Sequence, residues 1–273
     1  MRESVTTATL KQDSRHLSAR GKTLRRLSPL ATILLLLLVW LWISDSAIIS
    51  PILVPPPADV AAAFADALAD GSLAAHTVTT LGEMFYGLLL GVGIGLAIGY
   101  AIAKAPILEQ ILSPIIVAFQ STPIVAYAPL LIIWFGTGPA SKVVTTAVIV
   151  FFPTLVNTIA GVRAVSPNLL DVMRSLDAGR WQIFRQLELP SASPVLLAGL
   201  KTSSTLAVIG AVVGEFVNPQ RGLGFLVTSA RNRYDTPLVY VAVLTMTAIA
   251  LSLYSLVALV EWRCLAWRRR SIN

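Results

Sequence analysis

The sequence predicts an all-α membrane protein with six transmembrane helices and both termini in the cytoplasm, and three observations lead there. Hydrophobic residues make up 55% of the 273 and charged residues only 13%, with a mean hydropathy of +0.75; an ordinary soluble domain carries roughly one-quarter charged residues. Six stretches reach the roughly 20 apolar residues that cross a hydrocarbon core about 30 Å thick, at 29–49, 81–103, 112–135, 140–162, 193–216 and 237–260. Lys and Arg concentrate in the two tails and in one loop, which fixes orientation by the positive-inside rule.

The chain opens with a basic tail, 1–28, holding Arg2, Lys11, Arg15, Arg20, Lys22, Arg25 and Arg26, while 44–80 has no Lys or Arg and carries Asp45, Asp59, Asp66 and Asp70. The N-terminus is therefore cytoplasmic. The first span, 29–49, reads LATILLLLLVWLWI; it is long for a signal-peptide core and lacks a small-residue cleavage site, so it reads as a retained anchor. Within 50–80, an extracytoplasmic segment, PPPADVAAAFADALADG predicts a surface helix over 55–71, with Asp59 as N-cap and an apolar line of Val60, Phe64 and Leu68. A permeation or packing core then runs over 81–262. In the second span Gly87, Gly91, Gly95 and Gly99 form a side-chain-free stripe suited to close helix approach. The third and fourth spans are interrupted by Pro123, Pro129 and Pro153 and joined by the turn GTGPAS.

Between the fourth and fifth spans lies 163–192, whose Arg163, Arg174, Arg180 and Arg185 place it in the cytoplasm. Its stretch DVMRSLDAGRWQIFRQLELP reads as two short helical turns. Leu169, Val172, Met173 and Leu176 share one periodicity, Asp177-Ala178-Gly179 interrupts, and Trp181, Phe184 and Leu187 resume it. Neither piece is expected to cross a bilayer. The loop 217–236, outside in this scheme, carries Arg221, Arg231 and Arg233 against the orientation rule; the two tails outweigh it, since 263–273 ends the chain with WRCLAWRRR on the same side as the start.

Chemistry-bearing groups are scarce. Cys264, His16 and His76 have neither disulfide partners nor metal-ligand spacing, and no span holds a nucleophile with a base or a carboxylate near mid-membrane. Glu83, Lys142 and Glu215 fall near predicted outer ends and Lys201 near an inner one, where interfacial anchoring or snorkelling accounts for them. Gly21-Lys22-Thr23 mimics the end of a phosphate-binding loop, but the pattern needs a glycine where His16 stands and a preceding strand. Metal sites, cofactors, catalysis and a nucleotide site in this chain are thus not expected. The charge of +7 belongs to basic residues beside spans, which set orientation rather than bind nucleic acid. What stays polar inside the spans is uncharged: Gln120, Ser121 and Thr122, then Asn157 and Thr158, then Thr202, Ser203, Ser204 and Thr205. As a set on proline-broken spans they favour a solute path, although each residue alone could bond between helices or to its own backbone.

DVMRSLDAGRWQIFRQLELP resembles the cytoplasmic EAA loop of inner-membrane permease subunits of binding-protein-dependent ABC importers. Asp171, Val172 and Met173 align with its Glu-Ala-Ala and Leu189-Pro190 with its terminal pair; Asp177 stands where the usual glycine would, with Gly179 two residues later. From about 50 to 265 the chain is similar to the nitrate, sulfonate and taurine branch, through ILVPPPADV, STPIVAYAPLLIIWFGTGPASK, FFPTLVNTIAGV, GEFV, RGLGFLV and YDTPLVYVAVL. That branch also contains permeases for thiamine precursors and riboflavin, toward which GEFV and YDTPLVYVAVL lean.

The resemblance implies the type I (MetI-like) permease fold in a prokaryotic inner membrane, and a coupling helix seated on a separate ATPase. Asp171, Leu176, Asp177, Ala178, Gly179, Arg180, Trp181, Phe184, Leu189 and Pro190 would form that contact, with Trp181 and Phe184 as anchors. It also implies partners: two ATPase subunits that use the ATP, a second permease copy, an extracytoplasmic solute-binding protein and the lipid bilayer. A secondary carrier or channel without an ATPase, and a structural scaffold, are the alternative readings of the residues alone.

Overall fold

The computed structural model describes residues 31–46 and 49–266, and every regular element among them is helical. The basic N-terminal tail, His16, Gly21-Lys22-Thr23 and the final arginines lie outside the described residues. The chain divides into two compact units, 1–62 and 63–273. In the first, α1 (Ala31–Asp45) is a shorter apolar helix, and the indole N–H of Trp40 donates to the Pro55 carbonyl at 3.0 Å.

Helix α2 (Pro57–Ala69) corrects two details of the expected surface helix. It begins at Pro57, so Asp59 sits in the first turn rather than at the N-cap; there its carboxylate still faces the positive end of the helix dipole. Val60 and Ala67 are its buried apolar residues, whereas Phe64 and Leu68 are exposed.

In the second unit four helices are long and apolar enough to cross a membrane: Ser72–Lys104, Pro139–Arg163, Arg180–Val217 and Thr236–Cys264. The first of these, α3 (Ser72–Lys104), starts nine residues before the span expected from hydropathy at 81. The expected third span, 112–135, is not one helix. It is divided between α4 (Pro106–Ser121) and α5 (Ala128–Phe135), with a 3₁₀ turn at Ile124–Ala126 between them. The cause is local: a residue preceding proline is pushed out of the helical region, and Thr122, before Pro123, is extended at φ −86° and ψ 128°.

Helix α6 (Pro139–Arg163) continues through Pro153. After it, α7 (Pro167–Ser175) is a short separate helix, but the second half of the expected loop is not. Residues from α8 (Arg180–Ile183) pass through a π-helical turn at Phe184–Glu188 into α9 (Leu189–Val217) as one 38-residue helix. The π turn has a reason in the sequence. Pro190 lacks an N–H and its ring excludes the carbonyl four residues back, and the helix widens just before it, with the Leu189 N–H donating to the Phe184 carbonyl. Then α10 (Leu223–Asn232) lies in the loop before α11 (Thr236–Cys264), where Asp235 caps α11 by accepting from the Leu238 N–H at 3.2 Å.

The core is the packing of α3, α6 and α9 against one another, with α3 and α9 both seated on α6. Gly87, Gly91, Gly95 and Gly99 are all buried on α3 and meet Thr146, Ala147, Thr154 and Thr158 of α6. At Gly91 an added Cβ would lie 2.5 Å from the Ala147 carbonyl oxygen, so the stripe sets how near the backbones come. Helix α9 approaches α6 in the same way, its Gly199 on Asn157, Gly210 on Thr146 and Gly214 on Lys142. The outward faces are apolar, with residues such as Leu89, Ile133, Trp134 and Leu251 more than half exposed to whatever surrounds the chain.

Candidate functional site

The sequence-predicted coupling residues lie on one continuous stretch at the end of the bundle where α3 finishes. Helix α7 presents Leu169, Val172 and Leu176 outward, and Asp171 pairs with Arg174 at 3.1 Å on its exposed surface. The chain then turns on Asp177, whose φ of 52° lies in the left-handed region. Glycine is the default residue there and aspartate one of the few others that enter it at low cost. The substitution noticed in the motif is therefore accommodated: Asp177 adopts the glycine-type conformation, while Gly179 has an ordinary φ of −65° and receives only the Gln182 side chain, its N–H donating to Oε1 at 2.8 Å.

Past this turn Arg180 and Trp181 are exposed, Trp181 at 69%. The indole stacks on Phe184 with ring centroids 5.4 Å apart, and Phe184 meets the edge of Tyr100 on α3, also at 5.4 Å. Leu189 and Pro190 belong to the helix that enters the core. An apolar cleft of about 770 Å³ flanks these rings, with Leu96 and Ala97 of α3, Val162 of α6, and Leu196 of α9 in its walls and Arg180 at its rim.

The residues expected to form a solute path are not brought together. Gln120 and Ser121 are exposed at the end of α4, and the Ser121 and Thr122 hydroxyls donate to the carbonyls of Val117 and Ala118. Asn157 and Thr158 border a small cavity of about 190 Å³, the Asn157 amide donating to the Pro153 carbonyl at 2.8 Å. On α9 Thr202 is exposed, but Ser203 and Ser204 are fully buried. Ser203 shares a hydrogen bond with Thr154 of α6 at 3.0 Å, and Ser204 donates to the Leu200 carbonyl at 2.7 Å. In this conformation both serines are helix-packing groups rather than lining.

The structure also overturns the anchoring explanation for the charged residues. Glu83, Lys142 and Glu215 are 4%, 3% and 0% exposed and converge from three helices at the end where α3 begins. The Lys142 ammonium lies 3.1 Å from Glu83, off the hydrogen-bonding direction, and donates instead to the Arg221 carbonyl at 2.9 Å. Glu215 accepts from the Thr80 hydroxyl at 2.6 Å and from the Gly224 N–H in the first turn of α10; Thr80 accepts in turn from the Leu223 N–H at 2.8 Å. A carboxylate against the N-terminal amides of a helix is stabilised by those donors and by the dipole. Gly222, at φ 115°, donates its N–H to His76 Nδ1 at 3.1 Å, and a Cβ there would fall within the Glu215 carboxylate. The motifs GEFV and RGLGFLV are thus two halves of one seat. Charges of opposite sign at matching depth on different spans were the signal available beforehand. Lys201, in contrast, is partly exposed and ion-pairs with Glu261 near the end of α11, at 2.5 Å. Among the described residues no group of His, Cys, Asp and Glu side chains is gathered to hold a metal ion.

Comparison with known proteins places this geometry. Residues 91–264 match the family described as binding-protein-dependent transport system inner membrane component, and the match takes in α7, the turn at Asp177, the π turn and Glu215 with Gly222 and Gly224. The chain belongs to this family. It is similar to the riboflavin transport system permease RibX of Chloroflexus aurantiacus, 44% identical over 86% of this chain and 88% of that one. The formylaminopyrimidine transport permease ThiX of Halalkalibacterium halodurans is 29% identical over 91% and 99%, and the taurine transport permease TauC of Escherichia coli 31% identical over 88% and 90%. Among solved structures, the MetNI methionine ABC transporter in an inward-facing conformation shares the fold at a TM-score of 0.60 and 20% identity, over 68% of this chain and 93% of that one. The protein is an ABC importer permease subunit, a multi-pass membrane protein whose family works with ATPase and binding-protein partners.

Proposed function

We propose that this permease carries a small heteroaromatic nutrient of the riboflavin or thiamine-precursor kind, and that ATP hydrolysis on a separate subunit drives it through the segment 167–190. The observation that supports this most is the continuous helix from Arg180 to Val217: a push on its exposed end, bearing Trp181, reaches the helix that packs along α6 through the π turn at 184–188 and no loop. The solute class rests on the 44% identity to a riboflavin permease, against 31% for the taurine one; a sulfonate- or taurine-like anion is the second choice. Two copies of the chain, two ATPases and an extracytoplasmic binding protein complete the transporter. Both termini face the cytoplasm, with α1 and the broken pair α4 and α5 supplying two further crossings beside the four long helices. The chain binds no nucleotide itself. Among the candidate path residues, Gln120, Ser121 and Thr202 are open to a solute in this conformation, while Ser203 and Ser204 would become so only when α6 and α9 separate.

The test is co-purification and uptake in vesicles holding the permease, its ATPase and its binding protein. Gly179→Arg is the sharpest variant, because a Cβ at Gly179 meets nothing nearer than Gln182 Oε1 at 3.7 Å; the fold accepts a side chain there and only a docked partner would not. Trp181→Ala should be milder, and if it removes about 2 kcal/mol of docking the complex weakens roughly 30-fold. Both variants are expected to reach the membrane, lose the ATPase and lose ATP-driven riboflavin uptake. Normal partner binding and transport in both would defeat the coupling assignment, and uptake independent of ATP in the wild type would favour a passive carrier. In the same vesicles, a cysteine replacing Ala62 in a Cys264→Ser background should react with an impermeant thiol reagent from the extracytoplasmic side; labelling from the other side alone reverses the topology.

A further inference from the structure

Glu188 stands apart from every residue assigned so far. It is only 4% exposed, yet it lies in the π turn, between the exposed end of the long helix and Pro190. Its carboxylate is held from α3 alone: the Tyr100 hydroxyl donates to Oε2 at 2.9 Å, and the Lys104 ammonium pairs with Oε1 while lying 5.4 Å from the Tyr100 ring centre. One turn back, Phe184 rests on the edge of the same Tyr100 ring. The last turn of α3 therefore grips the π turn at both ends of its five residues. On one flank the rings of Phe184 and Trp181 border the open cleft.

A π turn is a place where a helix can change register or bend, because its hydrogen bonds are displaced from the regular ladder. Left unheld, such a turn would absorb a displacement of the Arg180 end instead of passing it on. From this geometry we infer that Glu188, clasped by Tyr100 and Lys104, is a positioning residue that stiffens the π turn so that movement of the coupling segment is delivered to α3 and α9 together. The inference rests on the coupling role proposed for 167–190. Its chemistry is an ion pair at one oxygen and a hydroxyl hydrogen bond, also charge-assisted by the carboxylate, at the other, and the exposed lysine, 41% accessible, lets the clasp loosen without stranding a buried cation.

The experiment measures solute transported per ATP hydrolysed in vesicles containing the assembled transporter. Glu188→Gln, Tyr100→Phe and Lys104→Met are compared, with Gln186→Ala as an exposed control on the same turn. Glu188→Gln should keep the ATPase bound and hydrolysing while the transport-to-hydrolysis ratio drops by about fivefold or more, the lower range of measured site-to-site coupling. Tyr100→Phe, which removes one hydroxyl and keeps the ring contact with Phe184, should lower the ratio by less, and the control should leave it unchanged. An unchanged ratio in Glu188→Gln overturns the inference. A fall in uptake and hydrolysis in proportion, or in membrane yield with a normal ratio in Tyr100→Phe and Lys104→Met, assigns the clasp to stability and overturns it as well. Failure of the coupling role itself would look different, since Gly179→Arg and Trp181→Ala would then keep the ATPase bound and transport normally.

Discussion

At the end of the bundle where α3 begins, Lys142 and the carboxylates of Glu83 and Glu215 are sealed from solvent, whereas at the other end Lys104 and Arg163 stand 41% and 39% exposed beside Glu188 and Glu109. Both ends are tied by ions, but the physics differs. A buried ion forfeits its hydration, so its network is tolerated only when nearly complete, and removing one member strands a charge. A half-exposed pair such as Arg163–Glu109 gains little in water and loses little when it opens, whereas in Lys104–Glu188 the lysine is open and the carboxylate buried. The first arrangement suits a fixed end that seats α10 on α3 and α9 and ties the turn before it to α6. The second suits an end that moves, and there lie the turn at Asp177, the π turn and the open cleft.

The largest effect should come from breaking the sealed end. Lys142→Ala leaves Glu83 without a counter-ion and is expected to cost about 3–5 kcal/mol, as partner removal does for buried pairs, read as a fall in the thermal midpoint of detergent-solubilised protein. Replacing both members, Glu83→Leu with Lys142→Met, should recover most of the loss. If the double variant is as unstable as the single one, the pair is not the organising contact of that end.

An intermediate effect lies between the ends, on the glycine seam. Gly91→Ala puts a methyl 2.5 Å from the Ala147 carbonyl oxygen and should cost roughly 1–3 kcal/mol by overpacking. Two residues along the same helix, Gly93 has nothing within 4 Å of its would-be Cβ, so Gly93→Ala should be neutral or stabilise by up to about 1 kcal/mol through helix propensity. Equal responses at the two positions would show that the seam does not set the spacing of α3 and α6.

The smallest effect is expected at the half-exposed end. Arg163→Ala opens the pair with Glu109 and should shift stability by less than about 1 kcal/mol, with a difference that shrinks in high salt. A loss as large as that of Lys142→Ala would erase the contrast between the ends.

Much of this was legible in the chain, and the pattern of what was not is instructive. The four long helices were visible as apolar runs because hydrocarbon thickness imposes a length that local composition reports. The glycine stripe and the breaks at Pro123 were visible because spacing and backbone sterics act over a few residues. The half-polar segment 167–190 was found by its mixed polarity, but its second half was misjudged as a detached helix: charge and an upcoming proline look like a boundary, and a π turn carries the helix through. The Glu83, Lys142 and Glu215 seat was read as three separate anchors, since nothing within a few residues of each announces the others.

By itself, then, the sequence determined the all-helical membrane class, the positions of the long spans, the seam and the half-polar stretch between the long helices, because hydrophobic length, proline sterics and helical periodicity are local quantities. Only the tertiary structure decided which charges neutralise one another, which serines are buried between α6 and α9, and that Glu188 is held from α3. Those contacts join residues about 50 to 135 positions apart, and their energies depend on mutual burial, which exists only once the helices have packed.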